Sequence, residues 1–188
     1  MILEKTNTQL ISSIEETLET YTDIIKTVGL EEGILGLSLF NYYQYLRTKD
    51  QTYLHRVSSY LEKSFSYLST VGNEGSANLL NLIEVAKYLC FLHRENIIET
   101  ATIKEYLNTL NPHINLFLQN KIQEKDLDAI SGIIAIGHYY LDASHLTNHK
   151  TALADIVFII DTLSISSKNT IYWKFSFRDN KNLTIEPG

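Results

Sequence analysis

The stretch Gly29-Leu-Glu-Glu-Gly33-Ile-Leu-Gly36-Leu-Ser-Leu-Phe-Asn-Tyr-Tyr-Gln-Tyr-Leu46 holds three of the eight glycines in a chain of 188 residues. Glycine is a poor helix former, yet the residues after Gly33 are apolar at helical spacing. Two glycines in the first turn of an amphipathic helix need a reason, and the pattern returns. Glu32-Gly33-Ile-Leu-Gly36-Leu is followed by Glu74-Gly75-Ser-Ala-Asn78-Leu, and then by Ser131-Gly132-Ile-Ile-Ala135-Ile. Each start puts a glycine at the head of an apolar helix and a small or short polar residue three places later. A glycine there costs little, because the first turn lacks internal partners for its N–H groups. Its missing side chain also lets a neighbouring helix or loop approach closely.

Seven segments carry the 3.6-residue period. The first has Leu10, Ile14, Leu18, Tyr21 and Ile25, with Gly29 expected to end it. The second presents Ile34, Leu37, Phe40 and Leu46. Asp50 is the expected N-cap of the third, whose stripe is Tyr53, Val57, Leu61, Phe65 and Leu68. A fourth starts near Gly75 and runs through Leu79, Leu82, Ile83, Ala86, Leu89 and Cys90. Thr102-Ile-Lys-Glu105 has the form of a capping box opening a fifth, which Asn111-Pro112 should break, with Ile114, Phe117 and Leu118 continuing its face. The sixth follows Gly132 and the seventh spans roughly residues 150–163. The unit is a helix pair occurring three times with irregular insertions, as in stacked helical repeats. Ordinary glycines at helix starts in an unrelated bundle are the alternative. The expected fold class is all-α, with a helical-repeat region over residues 1–168 and an extended aromatic tail over 169–188, where Tyr172, Trp173, Phe175 and Phe177 cluster.

Composition narrows the function classes. The 44% apolar share suffices for a core, and no run of eighteen apolar residues exists to span a membrane. The N-terminus shows no secretory signal. Cys90 is the single cysteine, so an internal disulfide and a multi-thiolate metal site are both excluded. A cytoplasmic setting fits that usage. The net charge of −6 and the scattered Lys and Arg residues argue against nucleic acid as a partner.

The quoted residues resemble the repeats of lanthionine synthetase C-like proteins. Gly29 to Tyr43 is similar to the first repeat motif, followed by its link, here Thr48-Lys-Asp50-Gln-Thr-Tyr53-Leu. The second unit, which starts at Glu74-Gly75-Ser-Ala-Asn78 and includes Phe91-Leu-His-Arg-Glu-Asn-Ile97-Ile-Glu, is similar to the second, with Asn78 in place of the second glycine. Leu127-Asp128-Ala-Ile-Ser131-Gly132-Ile-Ile-Ala135 is similar to the third, with Ala135 in place of a glycine. The likeness covers about residues 20–165. It implies an α/α toroid of seven helix pairs whose bacterial members close thioether rings in lanthipeptides. There a zinc ion held by two cysteines and a histidine activates the substrate thiol, in Ala-His-Gly, Trp-Cys-x-Gly and Cys-His-Gly contexts absent from this sequence. The resemblance therefore implies the first three of seven repeats, as a fragment or a natural truncation, with no catalytic residue, cofactor or metal ligand of its own.

Cys90 and His93 are three apart on one helix, but Cys90 continues an apolar stripe and reads as a buried small side chain. His145 and His149 have the spacing of paired metal ligands without an intervening glutamate. His138 either packs or faces a central cavity. Of the pairs Tyr42-Tyr43 and Tyr139-Tyr140, one member each should be buried and the other should show its hydroxyl. Glu31, Glu32, Asp126 and Asp128 stand near helix starts, where capping explains them better than the paired carboxylates of a carbohydrate-active toroid enzyme. The leading expectation is the N-terminal portion of a lanthipeptide cyclase, with a precursor peptide or partner protein bound. The alternative is a stand-alone helical-repeat module gripping a peptide or protein. Uncovered apolar repeat ends would favour a homodimer through the seventh segment and the tail.

Overall fold

A computed structural model describes residues 2–70, 76–167 and 170–173, with side chains from residue 7 onward except for 69, 70 and 76–79. Among these residues the chain forms seven helices: α1 (Ile2–Tyr21), α2 (Ile34–Thr48), α3 (Gln51–Thr70), α4 (Ser76–Arg94), α5 (Thr100–Glu124), α6 (Ile133–Asp142) and α7 (Lys150–Thr162). Two three-residue strands, β1 (Ile165–Ser167) and β2 (Thr170–Tyr172), pair antiparallel with Ile165 opposite Tyr172. The fold is all-α with this one small hairpin, and the hairpin straddles the expected start of the aromatic tail. Residues 174–188 and the second glycine head, Gly75, lie outside the described residues. No described helix is long and apolar enough to cross a membrane.

The contacts divide the chain into two compact units, Met1–Glu74 and Gly75–Gly188. In the first, α2 and α3 form a helix hairpin. Lys49 adopts the left-handed conformation and donates its N–H to the Tyr45 carbonyl at 2.8 Å, closing α2. Asp50 then caps α3 as expected, its carboxylate accepting the Thr52 N–H at 2.9 Å. Ile34, Leu35, Leu37 and Tyr42 of α2 are buried with Val57 and Leu61 of α3, and the Ser38 hydroxyl donates to the Val57 carbonyl across the pair. The polar side of α1 is tied to α3. Tyr53 donates to Glu15 at 2.9 Å, and Arg56 pairs with Glu15 and Glu19. Its apolar stripe stays open, with Leu10, Ile14 and Tyr21 exposed.

In the second unit α4 packs against both α5 and α6, and α6 also packs against α5 and α7. Ile83, Val85, Ala86, Tyr88, Leu89, Cys90 and Leu92 are all buried. A helix apolar on several sides belongs inside, and α4 is that inner helix. It closes on Asn96, left-handed at φ 59, with the Ile97 N–H returning to the Leu92 carbonyl at 2.9 Å.

Three expectations about helix ends need correction. Helix α1 stops at Tyr21, so Ile25 lies outside it and Gly29 does not terminate it. Gly29 is used elsewhere, at the head of α2. Helix α5 begins at Thr100 with no side-chain cap, so Thr102 and Glu105 form no capping box. It also runs through Pro112 instead of breaking at Asn111. A proline inside a helix costs about 3 kcal/mol. Here Ile103, Leu107, Leu110, Ile114 and Leu118 make one buried stripe on both sides of it. Each such burial contributes about 1.5–3 kcal/mol, so the stripe outweighs the lost hydrogen bond.

Candidate functional site

The glycine heads are the first thing the fold explains. The Ile34 N–H donates to the Thr27 carbonyl at 3.0 Å, and Leu35 to Val28 at 3.1 Å. The Ile133 N–H likewise donates to the Asp126 carbonyl at 2.8 Å, seven residues back in both cases. First-turn N–H groups ordinarily lack partners, and here the preceding loop folds over the helix end and supplies them. That leaves no room for a side chain. A Cβ on Gly33 would stand 2.3 Å from the Gly29 nitrogen, and one on Gly132 would stand 2.5 Å from the Asp128 nitrogen. One on Gly36 would meet the Leu30 oxygen at 2.4 Å. The close approach expected of a helix or a loop is made by the loop.

The loop before α6 is further braced by charge. Lys121, buried near the end of α5, donates to Asp126 at 2.7 Å and to Glu124 at 3.0 Å. Burial pulls its ammonium pKa down, but hydrogen bonds and charge from the two carboxylates raise it on balance. Asp128 accepts the N–H groups of Ile130 at 2.8 Å and Ser131 at 2.6 Å. Its partial burial raises the carboxyl pKa, and these hydrogen bonds outweigh that and hold it below the usual range. Both acids are therefore occupied in loop building, and the capping expectation is corrected: neither α2 nor α6 has a side-chain hydrogen bond at its N-cap, because the loop backbone already supplies the first-turn partners. Glu31 and Glu32 are exposed.

Cys90, His93, His138, His145 and His149 fall on α4, α6 and the α6–α7 loop. Cys90 is buried, as expected, and burial pushes its thiol up to about 11, with the Asp142 charge adding to the shift. His93 meets the Thr100 hydroxyl at 3.0 Å, and its other ring nitrogen is buried without a protein partner. Its ring lies 5.7 Å from that of His145. His149 turns elsewhere: it stacks on Tyr140 with ring centroids 4.2 Å apart and contacts the Thr147 hydroxyl. Burial lowers its pKa. The two members of the His145/His149 pair therefore have different neighbours. His138 is exposed on α6.

The tyrosine expectation holds for one pair and fails for the other. Tyr42 is buried and Tyr43 is 56% exposed. Tyr139 and Tyr140 are both fully buried, because α6 is ten residues long and packed against three helices. Their hydroxyls donate to the side-chain oxygens of Asn111 and Asn115 on α5, a partnership the sequence did not announce. Burial raises both phenol pKa values far above the ordinary one.

These residues do not fit a zinc centre of the thiolate kind, which needs three or four converging ligands. The chain has one cysteine, its thiol is held protonated by burial, and the described residues bring no three His, Cys, Asp or Glu side chains together around one point. A family model described as "Lanthionine synthetase C-like protein" matches residues 25–184. Neither the curated proteins nor the solved structures gave a match.

Proposed function

The chain belongs to the lanthionine synthetase C-like family, and from that premise we propose that it supplies the N-terminal helix pairs of a lanthipeptide cyclase. The family fold is an α/α toroid. In this reading the helices complete the ring and shape part of its peptide-binding wall, in a cytoplasmic setting. The zinc centre that closes thioether rings is held by residues this chain does not contain. The observation that carries the reading is the repeated head of α2 and α6, one loop device occurring twice within the matched span.

The test is incubation of the purified chain with a dehydrated precursor peptide that retains its cysteines. Mass spectrometry after thiol alkylation counts the rings closed. Binding of the peptide without ring closure above the uncatalysed rate is the expected result. Ring closure by this chain, or zinc bound at one equivalent, would overturn it. The reading frame beyond codon 188 is a second check: continuation into Trp-Cys and Cys-His-Gly segments supports the cyclase, and a stop codon there supports a stand-alone binding module.

Self-association belongs to the same reading. Val157 and Phe158 on α7 are 65% and 70% exposed, and Ile171 on the hairpin is 65% exposed. The Trp173 indole donates to the Ile160 carbonyl at 2.7 Å, fastening the hairpin beside that face. Light scattering at micromolar concentration should give a dimer. A monomer that also fails to bind a hydrophobic dye contradicts it.

A further inference from the structure

Lys104, Asn108, Asn111 and Asn115 follow one another at four, three and four residues along α5, so they form one row on its surface. With Leu146, Thr147, Asn148 and His149 from the α6–α7 loop they line an open cleft of ≈ 380 Å³. A second cleft of ≈ 340 Å³ adjoins it, sharing Leu146 to His149 and adding Lys150. Both volumes lie in the range of ligand sites.

The polar chemistry of the cleft is one-sided. Asn111 and Asn115 each spend the side-chain oxygen on a buried tyrosine hydroxyl. Asn148 spends its oxygen on the Lys150 N–H at 3.2 Å. An amide whose oxygen is engaged in this way has its orientation set, and it offers the NH2 group as donor. Lys104 forms no ion pair among the described residues. No carboxylate lines either cleft, in a chain whose net charge is −6. The surface is thus built to receive acceptors and negative charge.

We propose that this cleft binds an acidic peptide segment in extended form, a carboxylate at Lys104 and backbone carbonyls on the asparagine amides. Length favours a peptide over a single inorganic anion. The twelve residues of helix from Lys104 to Asn115 run about 16 Å, the span of about five extended residues. The inference is separate from the cyclase reading, because ring closure plays no part in it and a failed cyclisation test leaves it standing.

The experiment is fluorescence anisotropy of labelled Gly-Asp-Gly-Asp-Gly-Asp titrated with the full chain, beside analogues carrying Asn or Lys in place of each Asp. The acidic peptide should bind, the Asn analogue about tenfold more weakly, and the Lys analogue not at all, since one charge-assisted hydrogen bond is worth about that factor. K104Q and N108A alter exposed side chains and should keep the wild-type circular dichroism spectrum while weakening the acidic peptide about tenfold and severalfold. Equal binding of the three peptides, no binding, or K104Q with unchanged affinity would each overturn the proposal. So would displacement of the peptide by inorganic phosphate at equal concentration, which marks a simple anion site.

Discussion

The loop before α2 and the loop before α6 make the same backbone turn by different means. Aligned on Gly33 and Gly132, each buries one apolar residue, Val28 or Leu127, and each caps its helix from seven residues back. The first loop gains its closeness from glycines: Gly29 lies against Gly33, and Gly36 lies under the Leu30 carbonyl. The second has Asp128 where the first has Gly29, and Ala135 where it has Gly36. It holds its shape with Asp128 hydrogen bonds and the Lys121–Asp126 pair. What the repeats share is a path of the backbone, and side chains differ wherever that path leaves room for them.

The largest effects should come from the shared element. Gly33→Ala and Gly132→Ala would each press a methyl into backbone atoms that cannot step aside, costing about 3 kcal/mol at the upper end of overpacking. Urea denaturation followed by circular dichroism measures both; a loss under about 1 kcal/mol at either site would show that the loops yield. Next, Lys121→Met removes the brace of the second loop. It leaves Asp126 without its cation and should cost about 2 kcal/mol, the worth of a charged hydrogen bond.

The effect of pH separates the loops as well. The Asp128 carboxyl has a folded pKa below its unfolded one, so its contribution is complete above the ordinary carboxylate pKa and is lost as pH falls below it. Asp128→Ala should cost about 1.5 kcal/mol at neutral pH, the low end for hydrogen bonds to a charged group. It should also flatten the acid limb of a thermal-stability profile. The aligned Gly29 has nothing to titrate. An unchanged acid limb would refute the role given to Asp128. His149 adds a slope of the same sign: its depressed pKa makes stability decline as pH drops through the ordinary histidine value.

The smallest effect has the opposite sign. Gly137 sits inside α6, where a Cβ would meet only the Ile156 side chain at 3.5 Å, an ordinary contact. Gly137→Ala should therefore stabilise, by about 0.5–1 kcal/mol, through helix propensity. Gly36→Ala, in the first turn of α2, should destabilise. A shared sign for the two would remove the distinction between glycines that admit a neighbour and glycines that merely occupy a helix.

Most of the helices were legible because an apolar face repeats along each, and the glycine heads were legible because Gly33 and Gly132 precede such faces. Gly29 was misread because glycine both ends helices and admits close neighbours, and only the fold separates these uses. Pro112 was misread because its local cost is visible in sequence, whereas burial of Ile103 through Leu118 is collective. Tyr139 and Tyr140 point about 100° apart on a helix, so one exposed hydroxyl was the natural expectation; enclosure of α6 on several sides is a tertiary fact. The Lys121 brace and the asparagine row on α5 had no signal at all. Polar side chains on a helix look alike in sequence whether they meet water, a carboxylate or a tyrosine.

Hydrogen exchange at single amides tests the loop device without any mutation. First-turn amides ordinarily exchange quickly, since no carbonyl of their own helix reaches them. Here the Ile34, Leu35 and Ile133 amides are bonded to the loop carbonyls of Thr27, Val28 and Asp126. They should exchange as slowly as amides in the middle of α2 and α6. Exchange at Ile34 and Ile133 as fast as at an unprotected helix start would contradict the account.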